Sequence, residues 1–181
     1  MSIDNAEIVR LIADEATRGD GIARMVDAYT EPLYWHIRRM VVVHEDSEDI
    51  LQEMWVRIFR RLESFRGGEG ELRAWIYSIA TNLCLTHLRR KWRWSFVGMD
   101  GIGAKLAQSV ADAASESAES IEARFQKAIL SLPSKQRLVF NLRYYDELAY
   151  REISEITGMS ESTLKTNYHY AQQRIKELMT Q

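Results

Sequence analysis

Ser162, Thr163, Lys165, Thr166, Asn167 and His169 crowd short polar and basic side chains into eight consecutive positions. Side chains of these types meet phosphate oxygens and the edges of bases in a major groove. The apolar positions among and after them, Leu164, Tyr168, Ala171, Ile175 and Leu178, step by four, three, four and three. That spacing predicts a helix with the polar set facing largely away from its buried stripe. Ser160 stands where a cap belongs, and the first turn of such a helix offers free N–H groups and a positive dipole end to a phosphate. Upstream, Ala149–Thr157 reads as a short helix with Ile153 and Ile156 turned inward. Gly158 can take the left-handed conformation of a sharp exit, and Met159 can plug the angle between the two helices. The whole is predicted to be a helix-turn-helix. Some helical pairs of this pattern pack only on their own domain, and the pattern alone leaves that reading open.

Little else in the chain suggests bond-making chemistry. His36, His44, His87 and His169 are scattered, and no His-Glu-x-x-His or phosphate-loop sequence occurs. Cys84 lies in an apolar helical stretch without a base nearby in sequence, and reads as a small buried hydrophobe. A single cysteine excludes an internal disulfide framework and a multi-cysteine zinc site. No catalytic residue, cofactor, metal ligand or small-molecule substrate is therefore expected. The formal net charge of −2 argues against a protein that coats nucleic acid over its whole surface, yet the charges are segregated. Five acids and no base lie between Glu45 and Glu53, whereas nine Arg or Lys and only three Glu lie between Arg57 and Arg93. One surface for DNA and another for a different partner would produce that split, as would ordinary solvated charge runs.

Helical periodicity dominates the elements that must carry these groups. Ile22, Met25, Val26, Tyr29, Leu33, Ile37 and Met40 form one stripe, in which Pro32 is expected to bend or divide the helix. Ile50, Leu51, Met54, Trp55, Ile58, Phe59 and Leu62 form a second, with Asp46 and Asp49 at the expected cap and first turn, and with Trp55 and Phe59 assigned to the core. Leu72, Trp75, Ile76, Ile79, Ala80 and Leu83 form a third, in a helix expected to reach about Arg90. Glycines in Arg66-Gly67-Gly68-Glu69-Gly70 mark a turned loop between the last two. From Ser95 to Ser120 the pattern fails in favour of glycine, small and acidic residues, as in a linker, with transient helix expected around Lys105–Val110. Phe125, Ile129 and Leu132 then define a helix, and Ser134 is a candidate cap for the next, which carries Leu138, Val139, Leu142 and Tyr145. The expected fold class is all-α: a domain over 1–94, a flexible linker over 95–120 and a second domain over 121–181 containing the helix-turn-helix. Met1–Asp14 carries acids and no basic segment before an apolar core, so no secretory leader is expected. No apolar run reaches the roughly 18 residues of a membrane span. The chain reads as intracellular, soluble and cytoplasmic.

Two separated segments resemble the extracytoplasmic-function (ECF) sigma factors of bacterial RNA polymerase. One is Asp46-Ser47-Glu48-Asp49-Ile50-Leu51-Gln52-Glu53-Met54-Trp55-Val56-Arg57-Ile58-Phe59, followed by Arg73-Ala74-Trp75-Ile76-Tyr77-Ser78-Ile79-Ala80-Thr81-Asn82 and its continuation to Arg90. The other runs from Leu130-Ser131-Leu132-Pro133 through the helix-turn-helix to Leu178. The resemblance implies a subunit that directs core RNA polymerase to promoter DNA and assists its opening. The alternative is a helix-turn-helix regulator that does not join the polymerase.

By the same resemblance, Asp46, Asp49, Gln52, Glu53 and Arg57 would dock on the core enzyme. Acids and an amide opposite a packed stripe suit a basic partner. Arg66, Gly67, Gly68 and Glu69, in a loop spanning Phe65–Leu72, would receive a base flipped from the stack. Asn82 would contact the melted strand, Arg89, Arg90, Lys91 and Arg93 its phosphates, and Trp75 and Tyr77 would be candidates to stack on bases. Trp75 has core packing as the competing assignment. Arg151, Ser162, Thr163, Lys165, Thr166, Asn167 and His169 would read duplex DNA. The linker acids Asp100, Asp112, Glu116 and Glu119 could imitate nucleic-acid charge in a polymerase channel, or belong to a plain solvated tether. Many members are held by an anti-sigma protein, a third candidate partner. The chain departs from the family pattern at Thr86, where many members have aspartate, and at Asn167 and Tyr170, where or near which they have arginine. Two fewer cations lower the expected phosphate attraction and change the expected base preference.

Overall fold

The computed structural model describes residues 4–95 and 121–180, the side chains of 91–95 excepted. The described residues are all-α, with no strand among them. The helices are α1 (Asn5–Ala13), α2 (Arg18–Val41), α3 (His44–Arg61), α4 (Glu69–Ser95), α5 (Ile121–Leu130), α6 (Ser134–Phe140), α7 (Tyr150–Thr157) and α8 (Glu161–Thr180). A 3-10 turn, Leu62–Ser64, follows α3, and a π-helical segment, Asn141–Tyr145, follows α6. Two units result, one chiefly α1–α4 and the other chiefly α5–α8.

In the first unit α2 is the post against which the others pack. Met25, Tyr29, Leu33 and Ile37, at four-residue steps, are completely buried, and α1 and α3 both lie on this helix. Pro32 neither divides nor ends it. The fourth helix meets α2 through a polar contact: buried His36 Nε2 lies 3.1 Å from Thr81 Oγ1, and the His36 ring meets the Tyr77 ring edge-on at 5.2 Å. Helix α1 is not among the elements expected from the sequence; its start is marked by Asp4 accepting a hydrogen bond from Glu7 N at 3.0 Å. Ile8 and Ile12 bury its inner face, and a side chain at Gly21 would collide with Ile12 and Leu11 at 2.9 Å. Tyr29 Oη also donates to Asn5 Oδ1 at 2.7 Å across that contact.

Several boundaries differ from expectation. The third helix begins at His44 after Val43, so Asp46 lies inside its first turn rather than capping it, and Asp49 lies farther along. The chain enters it through Val42, whose φ of 68° is costly for a β-branched residue, and whose N–H donates to Arg38 O at 2.9 Å. The fourth helix begins at Glu69, inside the expected loop, and runs to Ser95 rather than Arg90. Pro133, not Ser134, precedes α6, and no side chain caps it. From residue 96 to 120 the expected linker, with its Lys105–Val110 helix and four acids, lies outside the described residues.

The second unit is organised by α8. Ala128, Ile129, Leu132, Phe140, Ala171 and Ile175 form a buried cluster joining α5, α6 and α8, with Phe125, Tyr145, Tyr168 and Leu178 packed against it. The expected helix-turn-helix is present as α7 and α8. Ile153 and Ile156 are buried, Gly158 has φ 71°, and Ser160 Oγ accepts from Thr163 N at 3.2 Å. Glu147 also has positive φ, 53°, at an exposed position.

These two positions predict opposite responses. Gly158→Ala should destabilise folding by about 1 kcal/mol, because alanine resists the left-handed region. Glu147→Gly should stabilise it by about 0.5–1 kcal/mol for the same reason; urea-denaturation midpoints check both. Burial pushes the Cys84 thiol up to about 12, so it stays protonated at neutral pH. Its contribution to stability is therefore intact below the ordinary value of 9.0 and is lost as pH rises toward about 12. A thiol-specific disulfide reagent at pH 8 should label the native chain on the order of a hundredfold more slowly than the urea-unfolded chain.

Candidate nucleic-acid interface

Residues from three helices carry the candidate surfaces. On α3 the buried side is Ser47, Ile50, Met54 and Ile58, which leaves Asp49, Gln52 and Glu53 exposed and Asp46 partly so. Arg57 turns back on its own helix, its Nη2 and Nε lying 2.5 and 3.1 Å from Glu53 Oε1. Beside these polar residues the expected core assignment of Phe59 does not hold, and that of Trp55 holds only in part. Phe59 is 43% exposed and stacks at 5.7 Å on half-buried Trp55, and neighbouring Val56 is 46% exposed. The buried side of α3 is the Ile50–Met54–Ile58 side, and Phe59 lies off it. This outer face therefore combines acids with a continuous apolar step.

The segment before α4 is tighter than a flexible loop. Glycine at 67 lets the Phe65 ring fold over the backbone: a Cβ there would lie 2.7 Å from Phe65 Cζ and 2.9 Å from Glu71 Cβ. Phe65 then packs on Trp75 with ring centres 4.9 Å apart. Gly68 N donates to Glu71 Oε2 at 2.6 Å, half of a capping box. Arg66 Nη1 donates to the backbone carbonyls of Glu63 and Phe65. Glu69 is the first helical residue, not loop backbone.

Along α4, Trp75, Asn82, Thr86 and Arg89 recur at seven, four and three residues and share one face. Trp75 is half-buried; Asn82, Thr86 and Arg89 are exposed, as is adjacent Arg90. Thr86 Oγ1 donates to Asn82 O at 2.8 Å, so the position often held by an acid in the family adds no negative charge to this stripe. Tyr77 does not belong to it. At 2% exposure it lies in the core against His36, because it is two residues out of phase with Trp75 on a helix. The side chains of Lys91 and Arg93 lie outside the described residues.

On the helix-turn-helix, Arg151, Ser162, Thr163, Lys165, Thr166 and His169 are exposed and Asn167 is half-buried. Several are engaged by their own helix. Thr166 Oγ1 donates to Ser162 O at 3.0 Å, Asn167 Nδ2 to Thr163 O at 2.8 Å, and Lys165 Nζ lies 3.7 Å from Glu161 Oε2. Tyr170, at a position near which arginine is common, is 54% exposed and adjoins the His169 ring at 6.1 Å. Tyr168 is partly buried between aromatic neighbours, and desolvation raises its phenol above the ordinary value, with nearby Tyr150 adding to the shift.

Sigma-70 region 2 matches residues 25–93, and Sigma-70 region 4 matches residues 122–175. The ECF RNA polymerase sigma factor SigW of Bacillus subtilis is 32% identical over 166 residues, covering 87% of this chain and 88% of that protein. The chain belongs to the ECF sigma factors. SigM of the same organism is 26% identical over 157 residues, covering 87% of the chain and 94% of its own length. Among solved structures, CnrH bound to the cytosolic domain of CnrY shares the fold with TM-score 0.68 at 16% identity, over 99% of this chain and 98% of that one. RpoE bound to the anti-sigma factor NepR from Bartonella quintana shares it with TM-score 0.66 at 20% identity, over 87% and 96%. As a sigma factor, the protein directs core RNA polymerase to promoter DNA in transcription initiation. A helix-turn-helix regulator that stays off the polymerase is not favoured, since the region 2 match occupies the other half of the chain. No helix among the described residues of this sigma factor is long and apolar enough to cross a membrane.

The Phe65–Gly67–Trp75 packing gives a direct prediction. Gly67→Ala should force Phe65 off the backbone and lower promoter opening roughly tenfold, while helix content by circular dichroism stays unchanged. Permanganate reactivity of unpaired thymines in the polymerase–promoter complex checks it.

Proposed function

We propose that this sigma factor divides its work among three surfaces: the outer face of α3 docks on core polymerase, the Trp75–Arg89 face of α4 holds the melted strand, and α7–α8 bind duplex promoter DNA. Domains are assigned accordingly, 1–94 for the first two tasks and 121–181 for the third, with 95–120 as the tether. The segregation of charge carries the reading. Exposed α3 presents Asp49, Gln52 and Glu53 beside Phe59 and Val56, whereas the α4 stripe presents Asn82, Thr86 and Arg89 with no acid. Acids with an exposed aromatic suit a basic protein partner that also has an apolar hold. An amide and cations suit single-stranded DNA, and half-buried Trp75 is a candidate platform for stacking. Arg89 and Arg90, with Lys91 and Arg93 beyond them, supply the phosphate track.

Opening then follows from differential binding. Contacts available only to an unpaired strand lower the free energy of the open complex relative to the closed one, without nucleotide hydrolysis by this subunit. Nucleotide addition is left to the core enzyme, and the protein acts in the cytoplasm with it. Arg66, Gly67 and Gly68 are assigned to base capture through the short segment before α4; Glu69 contributes from the first helical turn. An anti-sigma partner is a further proposal, supported by the complexes with CnrY and NepR named for the two structural relatives.

Transcription in vitro with purified core enzyme across a random promoter library tests the whole reading. Site-selective transcripts dependent on this chain are expected, and their absence sinks it. Phe59→Ala should weaken core affinity by about 5- to 30-fold, as truncation at the centre of an interface does. Asp49→Ala with Glu53→Ala should weaken it further and reduce its salt dependence. Lys165→Ala with Arg151→Ala should instead lower duplex affinity and flatten its salt slope, leaving core affinity intact.

A further inference from the structure

On the second unit two cations converge on a single ring. The Arg143 guanidinium carbon lies 5.3 Å, and Lys165 Nζ 5.6 Å, from the centre of the Tyr150 ring. The three residues come from different elements: Arg143 from the π-helical segment, Tyr150 from the first position of α7, and Lys165 from the second turn of α8. Like charges gathered this way repel each other, and the negative face of the ring offsets that repulsion. The ring itself is held from behind. It meets Tyr168 in a T-shaped contact at 6.4 Å and 76°, Tyr168 stacks on Phe140 at 5.8 Å, and Phe140 stacks on Tyr144 at 5.0 Å. Arg143 is pinned too, Nη1 donating to Leu148 O at 2.9 Å.

Lys165 differs from Arg143 in being exposed. Its other hold is Glu161 Oε2 at 3.7 Å, an exposed i,i+4 pair of the weak kind. A flexible lysine that must be ordered on binding loses rotamer freedom at that moment. We propose that Tyr150 is a positioning residue for promoter binding: its ring face holds the Lys165 ammonium in place before duplex DNA arrives, and Arg143 and the aromatic ladder through Tyr168 hold the ring. The phosphate then displaces Glu161, a carboxylate that repels it, while the lysine stays on the ring. Tyr150 itself touches no DNA. The inference rests on Lys165 being a duplex contact, and it adds the residue that makes that contact efficient.

The test is a double-substitution cycle in the holoenzyme, formed from the full chain and core polymerase, on a duplex recovered from the random library with the unsubstituted protein. Closed-complex affinity is measured at several salt concentrations, with thermal midpoints recorded for each variant. Lys165→Ala should weaken binding about tenfold and make the log-affinity against log-salt slope shallower by about 0.9, as one lost phosphate contact does. Tyr150→Leu should weaken it about three- to fivefold with the slope unchanged, since the lysine still reaches its phosphate but from a disordered start. Tyr150→Phe keeps the ring and should stay within about twofold. In the Lys165→Ala background, Tyr150→Leu should cost less than about twofold, because the residue it positions is gone. Equal losses from Tyr150→Leu with and without Lys165 would overturn the proposal, since the ring would then act through packing alone. A loss from Tyr150→Phe as large as that from Tyr150→Leu would also overturn it, by placing the effect in the hydroxyl. If Lys165→Ala changes nothing at any salt, the assignment of Lys165 to DNA fails first, which separates the two ideas.

Discussion

A helix in water can hide only one stripe, and in the first unit that stripe belongs to α2. Met25, Tyr29, Leu33 and Ile37 are fully buried, and every other helix of the unit reaches them or their neighbours: α1 at Gly21 and Tyr29, α3 along its Ile50–Ile58 side, α4 at His36. Burying each such side chain contributes about 1.5–3 kcal/mol, so this line of contacts outweighs any exposed ion pair in the unit. It also decides what stays outside. With one side of α3 and one side of α4 committed to α2, the opposite sides must face away from it, and those are the sides with segregated charge. Function here is assigned to what a single post leaves uncovered.

The second unit reaches a similar result with aromatic residues. Phe140, Tyr144, Tyr145, Tyr150 and Tyr168 form a run of ring contacts that ties the segment before the helix-turn-helix to both of its helices. The π-helical segment supports this run. One additional residue per turn rotates Arg143 and Tyr144 away from the positions a regular helix would give them. It carries a cost, because Asn141 is fully buried and neither of its amide atoms is hydrogen-bonded.

Helix identity and order were legible in the sequence wherever a 3.6-residue stripe lay between clear breakers, as in Ile153–Gly158–Leu164 and in the polar face of α8. What escaped had physical reasons. The first helix is short and has a narrow stripe, although Asp4 and Glu7 at cap spacing could have shown its start. Glu69 and Gly70 read as loop in the sequence, because glycine inside a first helical turn is unfavourable, yet it survives here where Gly68 N and Glu71 close a cap. Trp55 and Phe59 fit an apolar period, but period alone cannot tell a buried face from an exposed one. Tyr77 matches Trp75 in type but not in helical phase, which is why it lies in the core rather than on the exposed stripe. The π-helical segment has no periodic signature, so the meeting of Arg143 and Lys165 on Tyr150 was invisible before the fold.

The back-bonded side chains of α8 bear on how such a reader discriminates. Asn167 already spends one amide hydrogen on Thr163 O, and Thr166 spends its hydroxyl hydrogen on Ser162 O. Meeting a matching base, such groups exchange one partner for another and gain little; facing a mismatched one, they can simply keep the partner they have. On the proposed duplex-reading role, selectivity at those positions is muted in both directions, and a helix built this way is expected to tolerate a family of related sites rather than enforce one.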